Sequence, residues 1–261
     1  MPRPDSGNDT MNHTEQAFLF NCTGCRLTGM ITRPETPLDT GVLILVGGPQ
    51  YRAGSHRQFT LLARQLAAQG IASMRFDYRG MGDSEGDART FETVDDDIRA
   101  AINAFIEHVP SVRRVVIWGL CDAASSALLY AHTDSRVSSL ILLNPWVHTE
   151  AGAARAQLRF YYLARLTQRS FWTKLLSGKV KIGQSVGELK KSAQSVANAE
   201  NGENPGNPRH GSPGYIDRMY TGWTSYPGEI LIILSGNDLV AQEFIALTRK
   251  DKRWEKWSYV K

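Results

Sequence analysis

The chain has 261 residues and a net charge of only +4, with a sequence pI near 9.0, too small an imbalance to make nucleic acid the expected partner. A 42% hydrophobic content is enough to bury one large core, and a mean hydropathy of −0.31 excludes wholesale disorder and a multi-spanning membrane protein. Three cysteines are too few for a disulfide framework and the start of the chain lacks an apolar signal core, so a soluble protein of the reducing cytoplasm is expected.

Residues 1–16 are polar and read as a frayed tail. From Ala17 to Arg33 β-formers alternate with polar residues, and Asn21-Cys22-Thr23-Gly24-Cys25 sits where a hairpin turn belongs. The unbroken run Val42 to Val46 has the pattern of a strand buried on both faces. A helix follows over Phe59–Ala68, closed by Gly70, then a strand over Ile71–Phe76 and a helix over Val94–Val109, closed by Pro110. Val115–Trp118 is the next strand, Ala123–His132 an Ala- and Leu-rich helix, and Leu140–Leu143 a further strand. After a long interval come a strand at Glu229–Leu234, a helix at Ala241–Lys250 and a last strand at Trp257–Val260. This alternation predicts an α/β fold on a mostly parallel sheet. The core comprises residues 17–144 and 227–261, and the irregular, basic stretch 145–226 reads as a helical cap inserted over the strand ends.

The most informative stretch is Val115-Val116-Ile117-Trp118-Gly119-Leu120-Cys121-Asp122-Ala123. A buried strand runs into Gly-x-Cys-x-Ala and a helix begins at once. A nucleophile on such a turn has a strained backbone, and the residues two before and two after it approach closely, so both must be small. Cys121 would stand at a helix N-terminus, where free amides and the dipole favour thiolate, although the charge of Asp122 opposes this. The Asp122 amide is one candidate oxyanion donor.

These residues, with Val46-Gly47-Gly48-Pro49 after the first parallel strand, Asp77-Tyr78-Arg79-Gly80-Met81-Gly82-Asp83-Ser84 after the next and Ser235-Gly236-Asn237-Asp238 after a later one, resemble the α/β-hydrolase superfamily from about Gly41 onward. The resemblance implies an α/β-hydrolase fold, Cys121 as nucleophile and Asp238 as the triad acid. More narrowly, Gly47-Gly48-Pro49-Gln50-Tyr51-Arg52, Arg75-Phe76-Asp77-Tyr78-Arg79-Gly80, Trp118-Gly119-Leu120-Cys121-Asp122-Ala123 and Phe171-Trp172-Thr173-Lys174-Leu175-Leu176-Ser177-Gly178 are similar to the exosortase A system-associated hydrolases, which implies an exopolysaccharide-related bacterial setting without naming a substrate. The second oxyanion donor must come from the loop at 47–52. Pro49 has no N–H, leaving Gly48 or Gln50.

The base is the difficulty. The family's histidine follows the final strand, yet the histidines here are His13, His56, His108, His132, His148 and His210, none beyond Asp238. A sequence that stops before its histidine, a pseudoenzyme, and recruitment of His56 or His148 are the alternatives, and without an imidazole base the chain is expected to be feebly active. The expected function is hydrolysis, or acyl transfer, at an ester or thioester carbonyl of a small-molecule substrate, with no metal or organic cofactor. The competing reading is a non-catalytic binding or scaffold protein. Cys22-x-x-Cys25 reads as a structural hairpin rather than half a zinc site or a helix-start redox pair, and Asp95-Asp96-Asp97 as a solvated helix start complementing the dipole. Arg79 is expected to pair locally and brace the sheet rather than to touch substrate. The basic, aromatic stretch Ala153–Leu176 would cover the active site, with peripheral contact to an anionic membrane or an acyl carrier as the other reading.

Overall fold

The computed structural model describes residues 13–48, 50–147 and 214–254. These divide into two compact units, residues 13–146 with 214–235, and residue 147 with 236–254. Most of the expected cap, its basic stretch and the strand expected at Trp257–Val260 lie outside the described residues.

The first unit is built on seven strands: β1 (His13–Cys22), β2 (Cys25–Pro34), β3 (Thr40–Leu45), β4 (Ser73–Phe76), β5 (Arg114–Leu120), β6 (Val137–Leu143) and β7 (Glu229–Ile233). They lie in the order β1-β2-β4-β3-β5-β6-β7. β1 and β2 form an antiparallel hairpin, β2 runs antiparallel to β4, and the strands from β4 to β7 are parallel to one another. Three crossover helices belong to this unit, α1 (Gln58–Ala68), α2 (Asp95–His108) and α3 (Asp122–Tyr130), followed by α4 (Tyr215–Ser225).

β3 is central and buried from Gly41 to Leu45, as its unbroken apolar run requires. On one face Val42, Ile44 and Val46 pack with Phe59 and Ala63 of α1. On the other, Ile98, Ala101, Ile102 and Phe105 of α2 are buried, and α3 lies beside α2, covered in turn by α4. Removing a side chain such as Phe59 or Phe105 from water contributes about 1.5–3 kcal/mol each. β1 begins at His13, inside the stretch read as a frayed tail. Glu15 tethers it, accepting hydrogen bonds from Arg64 of α1 at 3.0 and 3.1 Å and lying 3.5 Å from the buried Arg75 of β4.

The acidic start of α2 departs from expectation. Asp95, Asp96 and Asp97 do occupy its first turn, but Asp97 is fully buried rather than solvated. Its carboxylate accepts the backbone N–H of Arg79 at 2.9 Å, Nε at 3.1 Å and Nη2 at 2.8 Å. Arg79 therefore pairs not locally, as the sequence led us to expect, but with a carboxylate 18 positions away, because the start of α2 is folded back against the loop after β4. Periodicity marks which residues face the core, but the buried charge was hidden because an acidic helix start has an adequate explanation in the dipole alone.

In the second unit, helix α5 (Leu239–Lys250) is followed by a short turn at Lys252–Trp254. Trp254 is buried against Phe244, ring centroids 6.0 Å apart and edge-on. No described helix is long and apolar enough to cross a membrane.

Candidate active site

β5 lies between β3 and β6, and its last residue hands the chain to α3 through a single residue, Cys121, with φ 61° and ψ −123°. Such a conformation costs a non-glycine residue on the order of 1–3 kcal/mol. The surroundings impose it: the Cys121 amide donates to the Leu143 carbonyl of β6 at 2.9 Å, while its own carbonyl accepts from Ala124 at 3.0 Å and Trp146 at 3.2 Å. A β-carbon at Gly119 would come within 2.7 Å of the Ala123 carbonyl oxygen. This is the close approach that calls for small residues on either side of the turn. Cys121 is in no disulfide and is partly exposed, at the N-terminus of α3.

The loop after β3 meets this turn directly. The Gly48 amide donates to both Asp122 carboxylate oxygens, at 2.7 and 2.9 Å. A β-carbon at Gly47 would lie 2.3 Å from the Leu120 carbonyl oxygen and 2.4 Å from Asp122 Oδ1, so only glycine lets the loop come this near. The Gly48 N–H therefore already faces a negative oxygen one residue from the thiol. The Gln50 side chain instead turns along its own loop, its Oε1 accepting from the Ser55 amide at 3.4 Å and Gln58 Nε2 at 3.3 Å.

A second tether, not expected from the sequence, fixes this loop from the other side. Asp77 at the end of β4 is buried and accepts the Arg52 amide at 2.6 Å and the Asp83 amide at 3.0 Å, while its carboxylate also holds the Arg52 guanidinium. Arg52 reaches on to Asp83 at 2.7 Å. Ser84 closes the turn, donating to the Asp77 carbonyl at 2.7 Å and accepting the Thr28 amide at 2.9 Å. The Asp-x-Arg-Gly-x-Gly-x-Ser turn is thus the anchor of the loop after β3. Nearby, burial pushes the Tyr78 phenol well up, and the charges of Asp122 and Asp97 add to it, so Tyr78 stays neutral.

The ends of β6 and β7 are joined by Asn144, held at φ 45°. Its Oδ1 accepts the Ser235 amide at 2.9 Å and its Nδ2 donates to Ser235 Oγ at 3.1 Å. Beside the Cys121 turn, Trp146, Phe91 and Tyr215 cluster with centroids 5.3 to 5.7 Å apart, Trp146 stacked on Tyr215 and Phe91 edge-on to both. The features that approach Cys121 all lie at the carboxyl ends of the parallel strands, where open α/β sheets place their ligand sites.

The first unit thus brings together Cys121, Asp122 and Gly48. Asp238 belongs to the second unit, where it caps α5 and accepts the Ala241 amide at 3.0 Å. His56 lies in a left-handed turn with Nδ1 3.0 Å from Ser55 Oγ, and His148 lies outside the described residues. Among the described residues no group of three or more His, Cys, Asp or Glu is placed to hold a metal ion.

Residues 40–201 match the family model described as serine aminopeptidase, S33. The quorum-quenching protein AidA of Acinetobacter baumannii (strain MDR-ZJ06) is 30% identical over 146 residues, 52% of this chain and 47% of that protein. The chain therefore spans about half the length of this curated relative. Among solved structures, proline iminopeptidase from Mycobacterium smegmatis aligns over 88% of this chain and 86% of its own, with a TM-score of 0.54 and 17% identity. Pyrococcus furiosus esterase Pf2001 aligns over 95% of this chain and 94% of its own, with a TM-score of 0.53 and 14% identity. Both share with this chain the α/β-hydrolase fold.

Proposed function

The chain belongs to the serine aminopeptidase S33 family, and on that premise we propose that it is an α/β-hydrolase acting on ester or thioester carbonyls through Cys121, in place of the serine for which the family is named. The observation that carries the reading is the backbone of Cys121, strained at φ 61° between a central strand and a helix N-terminus. The Cys121 thiolate attacks the carbonyl carbon and the carbonyl π electrons move to oxygen. The Asp122 amide and an amide of the loop after β3 stabilise that oxygen. The Gly48 N–H is held by the Asp122 carboxylate and would exchange that partner for the substrate oxygen, and the backbone N–H of Gln50 is the alternative donor. Collapse expels the alcohol or thiol, and water, or another acceptor, then releases the acyl group from sulfur.

The Cys121 proton passes to a general base in this scheme, and the family resemblance implies Asp238 as the acid that would orient that base. An exosortase-associated setting rests on the motif similarities alone.

The test is acylation of the chain by p-nitrophenyl esters and acyl thioesters, read by intact mass. One acyl group per chain, absent from Cys121→Ala, is expected. An adduct that persists in Cys121→Ala would overturn the assignment.

A further inference from the structure

Cys22 and Cys25 are not used by this chemistry, and the structure sets them closer than their spacing alone requires. They flank the two-residue turn of the β1–β2 hairpin, in which Thr23 and Gly24 both have positive φ, 48° and 86°, the pattern of the tightest hairpin turn. The Gly24 amide donates to Asn21 Oδ1 at 3.1 Å and fixes the turn. Cys22 and Cys25 are direct register partners, so their side chains leave the same face of the hairpin. Opposed Cα atoms of an antiparallel pair lie about 4.5–5.5 Å apart, within the span that a disulfide bridges.

Both thiols are free, Cys22 buried and Cys25 half-buried. Cys25 lies against Gly86, where a β-carbon would come within 2.9 Å of its sulfur. Arg79 donates to Thr23 Oγ1 at 2.7 Å, so a fixed cation stands beside the turn. This arrangement differs from a helix-start redox motif and from a zinc half-site. It is a preformed dithiol on a hairpin end.

We propose that Cys22 and Cys25 form an oxidation site that hydroperoxides close to a reversible disulfide. The Cys25 thiolate, the more accessible, attacks a peroxide oxygen. The O–O bond breaks, the alcohol or water leaves, and Cys25 carries a sulfenic acid. Burial holds Cys22 as the thiol; its sulfur then attacks the Cys25 sulfur and expels hydroxide, which takes up the Cys22 proton as water. In sum two thiols lose two electrons and two protons to the hydroperoxide, which is reduced to water and an alcohol. Because the bridge closes only a tight turn, it gains little from chain entropy and a small dithiol reopens it. The proposal does not depend on Cys121.

The experiment treats the full chain with tert-butyl hydroperoxide, blocks remaining thiols with N-ethylmaleimide and maps tryptic peptides without reduction. Both cysteines fall on the peptide ending at Arg26. The expected result is joint loss of both maleimide labels from that peptide, with a mass lower by two hydrogens, restored by dithiothreitol. Cys22→Ser should instead leave a sulfenic acid on Cys25 that dimedone traps. Oxidation of Cys25 to the sulfinic acid while Cys22 still takes maleimide would overturn the proposal. So would retention of both labels under conditions that oxidise Cys121.

Discussion

Replacing Asp97 by alanine tests the buried network beneath the candidate site. Arg79 has a side chain only 6% exposed, and Asp97 is fully buried. Alanine would leave the guanidinium inside the protein with its Asp97 acceptor gone. An arginine cannot shed its proton to escape the cost. Breaking a buried pair in this way costs about 3–5 kcal/mol, a large part of the roughly 5–15 kcal/mol by which a domain is stable. Asp96 is the internal control: it lies 3.7 Å from the same guanidinium with a side chain 63% exposed, and its alanine variant should cost less than about 0.5 kcal/mol. Urea unfolding followed by circular dichroism measures both. The double variant Arg79→Leu/Asp97→Leu should lose less than the two single changes added together, because no charge is left stranded. A loss below about 1 kcal/mol for Asp97→Ala, or strict additivity in the double variant, would show that the pair does not hold the turn.

Three further outcomes follow from the geometry. Gly119→Val should abolish iodoacetamide reactivity at Cys121 and lower the unfolding temperature, since its β-carbon would press on the Ala123 carbonyl oxygen at 2.7 Å; normal labelling would refute the account of the turn. Asp122→Asn should lower the midpoint of the pH profile for Cys121 alkylation, because it removes a negative charge one residue from the sulfur, and an unchanged midpoint would show that this charge is not felt. The carboxyl of Asp134 is held down to about 2 from its usual 3.8, chiefly by its hydrogen bonds from Arg136. A group depressed on folding contributes stability above its unfolded value and loses it as pH falls through the folded one, so the contribution should fade between about pH 4 and pH 2. Asp134→Asn should flatten acid unfolding over that range, as read by circular dichroism.

The parallel sheet was legible because β3 is buried from Gly41 to Leu45 and reads as an unbroken apolar run, and because β5 repeats such a run from Val115 to Trp118 after an intervening helix. The elbow was legible because the close approach at Gly119 and Ala123 leaves a spacing that few other structures require. The limits lie with pairings distant in sequence. Nothing in the run Asp95-Asp96-Asp97 says which carboxylate is buried, since that depends on where Arg79 arrives from another loop. The Arg52–Asp77 tether and the Asn144–Ser235 latch join loops that only the strand order makes adjacent. The hairpin at Cys22 and Cys25 was visible as a turn, but its register, and hence the pairing of the two cysteines across it, came from the structure.

The central claim is that Cys121 is a reactive nucleophile presented by a strained turn. The most direct test is a time course of iodoacetamide labelling of the native chain, with each cysteine followed by peptide mapping. Cys121 should label first, ahead of Cys25 and the buried Cys22. If Cys121 takes up label only after unfolding in urea, the thiol is a packing residue and the enzymatic account fails.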